Sequence, residues 1–133
     1  MMVLVRASVE FEGFKGKISG VALVDTGSAL TLLDRSIADR IGTRTIGRRV
    51  KIIVADGHEI FADLAIVNKV VVEGEELPGA HVGLMDFPEK LAKRLRELNL
   101  SEWCVIGMST LEILGLFPNT LTGKVEKGSA LLI

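Results

Sequence analysis

Apolar and polar positions alternate along residues 2–11. Val3, Val5, Ala7, Val9 and Phe11 share one face, and Arg6, Ser8 and Glu10 the other, which is the pattern of a half-buried strand. A turn over 13–16 leads to a second strand, 17–24, which closes on the unbroken apolar run Val21-Ala22-Leu23-Val24 and then meets Asp25. Leu30-Thr31-Leu32-Leu33 predicts a third strand, and 36–41 a short helix stopped by Gly42. Residues 50–55 predict a strand that turns at Asp56-Gly57 into a return strand over 58–67, since Asp-Gly between apolar runs is a strong hairpin signal. A second hairpin turns near Glu73-Gly74, with Val70, Val71 and Val72 on one side and 77–82 on the other; Pro78 places that return near a sheet edge.

The pattern changes over 86–98. Phe87, Leu91, Leu95 and Leu98 recur at helical spacing, with charged residues between them, so this is an amphipathic helix whose stripe packs on the core. Asp86 and Glu89 stand at capping-box spacing, with Pro88 in the first turn. Trp103-Cys104-Val105-Ile106-Gly107 predicts a buried strand running into a glycine. A helix over 109–114 follows, with Ser109 and Glu112 at capping-box spacing and Gly115 as its stop. Residues 119–123 turn the chain into Lys124-Val125-Glu126, and the apolar tail 129–133 is expected to pair as a strand, with another chain as its partner.

One stretch is chemically unusual. Val21-Ala22-Leu23-Val24-Asp25-Thr26-Gly27-Ser28 delivers a carboxylate to the end of a buried strand, where an unpartnered charge is costly. Asp and Gly also favour ordinary turns, but the apolar run before Asp25 and the hydroxyl of Ser28 after it fit a carboxylate held by local donors.

Composition narrows the alternatives. A chain of 133 residues fits one domain over 1–133 with a real core, and a formal net charge of −1 gives no electrostatic footprint for nucleic acid or a membrane surface. No apolar stretch is long enough to span a bilayer, and the N-terminal apolar run is too short for a signal peptide. A single cysteine, Cys104, permits no intrachain disulfide and fits a cytoplasmic setting. His58, His81 and Cys104 lack the usual metal-ligand spacing, so no metal and no cofactor is expected. Ser28 has no His in a recognisable relation to it, and no glycine-rich phosphate loop follows a strand. Carboxylate chemistry remains.

Three segments together, Val24-Asp25-Thr26-Gly27-Ser28, residues 36–42, and Val105-Ile106-Gly107 with the helix after it, resemble a retropepsin-type aspartic protease. The resemblance covers roughly residues 3–83 and 103–133. It implies an all-β, closed-barrel acid-protease fold with a few short helices, the helix over 86–98 being an insertion relative to compact viral members. It implies Asp25 as the catalytic residue, Thr26, Gly27 and Ser28 as loop support, and Val105, Ile106 and Gly107 as the second-strand motif. Ala55, Asp56, Gly57 and His58 stand where the family carries its substrate-covering flap. Amide hydrolysis by water needs both a base and an acid, and two adjacent carboxylates sharing one proton supply both; aspartic proteases are the standard example of such a pair. This chain has one Asp-Thr-Gly, so the second carboxylate is expected from a second copy, in a homodimer with an Asp25 from each chain at the axis. The resemblance further implies that Thr26 hydroxyls cross-link the two loops and that residues 3–5 and 130–133 form an intersubunit sheet.

The expected substrate is an extended, apolar-rich peptide or unfolded protein laid under the flaps as an added strand. Ser28 is expected to bond the outer oxygen of Asp25. Two departures stand out: Ala29 and Met108 occupy the positions where retroviral members carry an acidic residue and an Arg, so that ion pair is absent. A non-enzymatic dimeric peptide-binding or scaffold module that keeps the fold is the alternative, since a fold alone does not fix a function.

Overall fold

The computed structural model describes residues 3–53 and 57–128. Six strands close into a barrel: β1 (Val5–Glu12), β2 (Lys17–Val24), β7 (Cys104–Ile106), β3 (Leu32–Asp34), β6 (Glu75–Met85) and β5 (Glu59–Val72), with β5 returning to β1. A further strand, β4 (Arg44–Ile53), extends the first half of β5 outward. Three short helices, α1 (Arg35–Ile41), α2 (Glu89–Glu97) and α3 (Met108–Leu114), and a separate hairpin of β8 (Leu116–Asn119) and β9 (Lys124–Lys127) complete the chain. The all-β closed barrel with a few short helices, one of them inserted, is the architecture the sequence implied. Among the described residues no helix is long and apolar enough to cross a membrane.

Period-two alternation fills the barrel. Val5, Ala7, Val9 and Phe11 of β1 and Ala22 and Val24 of β2 point inward and are buried. Trp103 meets Phe11 edge-on with ring centroids 5.8 Å apart. The short strand β7 is apolar throughout, and β3 is apolar up to Asp34 at its end, because both of their faces are covered. Leu33, Cys104 and Ile106 face the barrel interior, whereas Leu32 and Val105 face a second cluster built with Ala62, Met85, Leu95 and Leu100. Helix α2 supplies Leu95 to that second cluster, as its stripe predicted. Burial pushes the Cys104 thiol well above its ordinary range, so it stays an uncharged core residue.

Several local expectations are corrected. Strand β4 starts at Arg44, not near residue 50, because its first half is exposed, lies beside a register shift between Thr45 and Arg49, and so carries no apolar period. The β5 strand runs unbroken to Val72 rather than ending at Val67. Its turn into β6 falls at Glu73-Gly74, where both residues take positive φ. The Pro78 half of β6 pairs only with β5, and β3 joins β6 only at Gly83 and beyond, so Pro78 does lie at a local edge. Neither expected capping box forms. The α2 cap position is Pro88 with no side-chain bond, and the Asp86 carboxylate instead lies 3.8 Å from Arg35. The cap position of α3 is Gly107, two residues before the cap expected at Ser109, and it makes no side-chain cap bond. The expected pairing strand 129–133 lies outside the described residues.

Candidate active site

The ladder of β2 continues one residue past its end, where Asp25 N–H donates to the carbonyl of Ile106 at 2.9 Å. The chain then turns sharply. Ser28 N–H donates to the Asp25 carbonyl at 3.1 Å, which swings Gly27 N–H onto Asp25 Oδ1 at 2.9 Å. The carboxylate is thus oriented by a backbone donor while remaining exposed on the single chain. Thr26 is exposed too, and its hydroxyl makes no hydrogen bond among the described residues.

Ser28 departs from expectation. Its Oγ donates to the carbonyl of Leu30 at 2.7 Å and makes no bond to Asp25. The turn has already given Gly27 N–H to the carboxylate, which leaves the Ser28 side chain on the inner side of the loop, beside the Leu30 carbonyl. Ser28 therefore supports the loop, through its own backbone and not through the acid.

The second-strand motif crosses under this loop. β7 lies between β2, with which it is parallel through Leu23↔Val105 and Val24↔Ile106, and β3, with which it is antiparallel through Leu32↔Val105. Beyond Ile106 the chain enters α3, and the first N–H groups of that helix are taken by the loop: Met108 N–H donates to Ser28 O at 2.8 Å and Ser109 N–H to Ala29 O at 2.9 Å. Helix N-termini leave such donors open, and here the Asp25 loop satisfies them in place of a side-chain cap. Gly107 makes the crossing possible, since a Cβ there would stand 2.5 Å from the carbonyl carbon and oxygen of Leu30 and 2.9 Å from Ser28 O.

Two buried residues complete the support, and the sequence reading did not single them out. Thr31 and Thr110, both fully buried, share a hydrogen bond of 2.6 Å, and Thr31 Oγ1 also accepts from Gly107 N–H at 3.0 Å. A buried donor without a partner costs about 1–3 kcal/mol, so this pair fixes the spacing between loop and helix. The signal in the sequence was a lone hydroxyl inside the apolar run Leu30-Thr31-Leu32-Leu33.

Of the flap residues, Ala55 and Asp56 lie outside the described residues. Gly57 and His58 are exposed at the end of the β4–β5 hairpin. Its arms are fastened at their base by Asp63, which takes Arg35 Nη2 at 2.7 Å and Arg49 Nε at 3.6 Å. Among the described residues no group of three or more His, Cys, Asp or Glu is placed to hold a metal ion. The structure thus brings Asp25, Thr26, Gly27 and Ser28 together with Val105, Ile106 and Gly107, and carries Gly57 and His58 on a separate arm.

A family model described as aspartyl protease matches residues 7–110, a span that includes both the Asp25 loop and the Gly107 crossing. Among solved structures, the crystal structure of a retropepsin-like aspartic protease from Rickettsia conorii is similar at 24% identity, covering 84% of this chain and 78% of that one with a TM-score of 0.45. No curated protein sequence matches.

Proposed function

The chain belongs to the aspartyl protease family, and from that premise we propose that it works as a homodimeric endopeptidase in which Asp25 of each protomer contributes to one shared site. The observation that carries this reading is the Asp25 loop itself: an exposed carboxylate, oriented by Gly27 N–H at 2.9 Å, on a loop locked to the next strand and helix. One such carboxylate occurs per chain, and acid–base hydrolysis of an amide by water needs two groups in opposite protonation states. A two-fold axis beside the loop supplies the second group, because such an interface is self-complementary. In this reading one Asp25 takes the proton of the attacking water while the other protonates the carbonyl oxygen. The unbonded Thr26 hydroxyl is free to bridge to the partner loop. The exposed apolar side chains of Val3, Leu4, Phe117 and Leu121 give a second copy something to cover. The substrate is an extended peptide laid beneath the β4–β5 hairpins.

The test is cleavage of an unfolded protein by the purified protein at acid pH. Cleavage should rise and fall with pH in a bell, since only the singly protonated pair is competent, and a statine-type transition-state mimic should stop it. Because the Ser28 hydroxyl bonds the Leu30 carbonyl and not the Asp25 carboxylate, Ser28→Ala should weaken the loop and leave the shape of that bell in place. Peptide binding with no cleavage at any pH would instead favour a scaffold or binding module.

A further inference from the structure

Helix α2 stands on the same side of the barrel as Asp25. On β2, Ala22 and Val24 face the barrel core, so Leu23, two residues before Asp25, faces the opposite way and packs against the second cluster. Leu30, five residues after Asp25, joins that cluster, as do Ile52 and Ile60, which are cross-strand partners in the two arms of the flap hairpin. The remaining half-buried members come from the inserted segment: Phe87 just before α2, Leu91 within it and Leu98 at its C-terminal cap. One apolar surface therefore joins the strand that delivers the carboxylate, the loop that leaves it, the flap arms and the helix.

The helix is held there at both ends. Before it, Phe87 N–H donates to Asp34 Oδ1 at 2.8 Å, and Asp34 also caps α1 through Ser36 N–H at 3.1 Å. After it, Ser101 and Val21 of β2 bond in both directions, Ser101 N–H to Val21 O at 2.7 Å and Val21 N–H to Ser101 Oγ at 3.0 Å. Gly20 permits this approach, since a Cβ there would stand 2.1 Å from Ser101 Oγ. A wall fixed in advance discriminates between side chains better than one that must be ordered on binding.

We infer that α2 forms one wall of the side-chain pocket beside Asp25, with Phe87 and Leu91 as specificity-determining residues that select an apolar side chain next to the scissile bond. This rests on the endopeptidase reading above. An extended peptide presents alternate side chains to one face, and the apolar surface around Leu23, Leu30, Ile52 and Ile60 receives one of them, with Leu91 setting the depth available to it.

The experiment is a cleavage profile of the full-length protein on peptides that differ only in the residues flanking the cut, from Ala through Leu to Phe and Trp. Leu91→Ala should raise kcat/KM for the largest side chains relative to the smallest, and Leu91→Phe should do the reverse, each by about tenfold, the scale of one or two methylenes in an apolar pocket. Phe87→Leu, a gentler change of volume, should shift the profile in the same direction as Leu91→Ala. Cleavage that depends on Asp25 but keeps one profile in all three variants overturns the wall while leaving the protease standing. Absence of any cleavage that depends on Asp25 overturns the protease reading, and the wall with it.

Discussion

Asp25→Asn is expected to abolish peptide hydrolysis, lowering kcat/KM by about 10⁴-fold or more, while the protein still folds and dimerises. The amide has the size of the carboxylate, and its oxygen still accepts from Gly27 N–H, the contact that orients Oδ1 at 2.9 Å. What is lost is the titrating group. General acid–base transfer contributes about 10²–10⁴-fold, and in a symmetric dimer the substitution removes both the base and the acid. Since Asp25 is exposed on the single chain, the core loses nothing. Sedimentation should show the dimer retained, and unfolding should show an unchanged or higher midpoint, because repulsion between two carboxylates has gone. Hydrolysis by the variant at more than a few per cent of the normal rate would remove Asp25 from the chemistry.

Gly107→Ala is expected to damage the fold and the site together. The added Cβ would stand 2.5 Å from backbone atoms of Leu30 and 2.9 Å from Ser28 O. Those atoms cannot yield easily, because Ser28 O and Ala29 O are tied to Met108 and Ser109 N–H, and Gly107 N–H is tied to Thr31 Oγ1. Overpacking of this kind costs about 1–3 kcal/mol where side chains can adjust and more where backbone must move, against a net stability of about 5–15 kcal/mol for a domain. Denaturant titration should show a midpoint loss equivalent to about 3 kcal/mol or more, or no folded protein at all. Activity should fall with it, since the same shift displaces the Asp25 loop. A variant of normal stability would mean that the loop and β7 do not cross as closely as described.

The elements with a complete local signal were legible in the sequence. β1 alternates cleanly, β2 closes on an apolar run, α1 ends at Gly42, the turn sits at Glu73-Gly74, and the Asp25 loop and the Gly107 crossing carry their motifs in the residues themselves. What stayed hidden depends on contacts between distant residues. Thr31 and Thr110 are 79 positions apart, and nothing local shows that two hydroxyls in apolar surroundings meet each other. The two expected capping boxes failed for different reasons: at α3 the Asp25 loop reached the Ser109 N–H first, and at α2 the helix starts later, with Pro88 at its cap position. Ser28 was assigned to the wrong acceptor because a serine two or three residues from both a carboxylate and a carbonyl can serve either, and only the turn decides. The first half of β4 is exposed on both faces and lacks any apolar period, so a strand there is defined by pairing with β5 alone. The stripe of α2 announced a buried face, but not that this face lies beside Leu23 and the flap arms, on the side of Asp25.

The central claim is that one site uses an Asp25 from each of two chains. It is tested most directly by a covalently linked dimer in which one protomer carries Asp25→Asn and the other is unchanged, assayed on an unfolded protein beside the fully normal linked dimer. A shared site leaves the mixed dimer without a competent acid–base pair, so its activity should fall to the level of the double variant. Retention of about half the normal activity would show that each protomer works alone and would contradict the account.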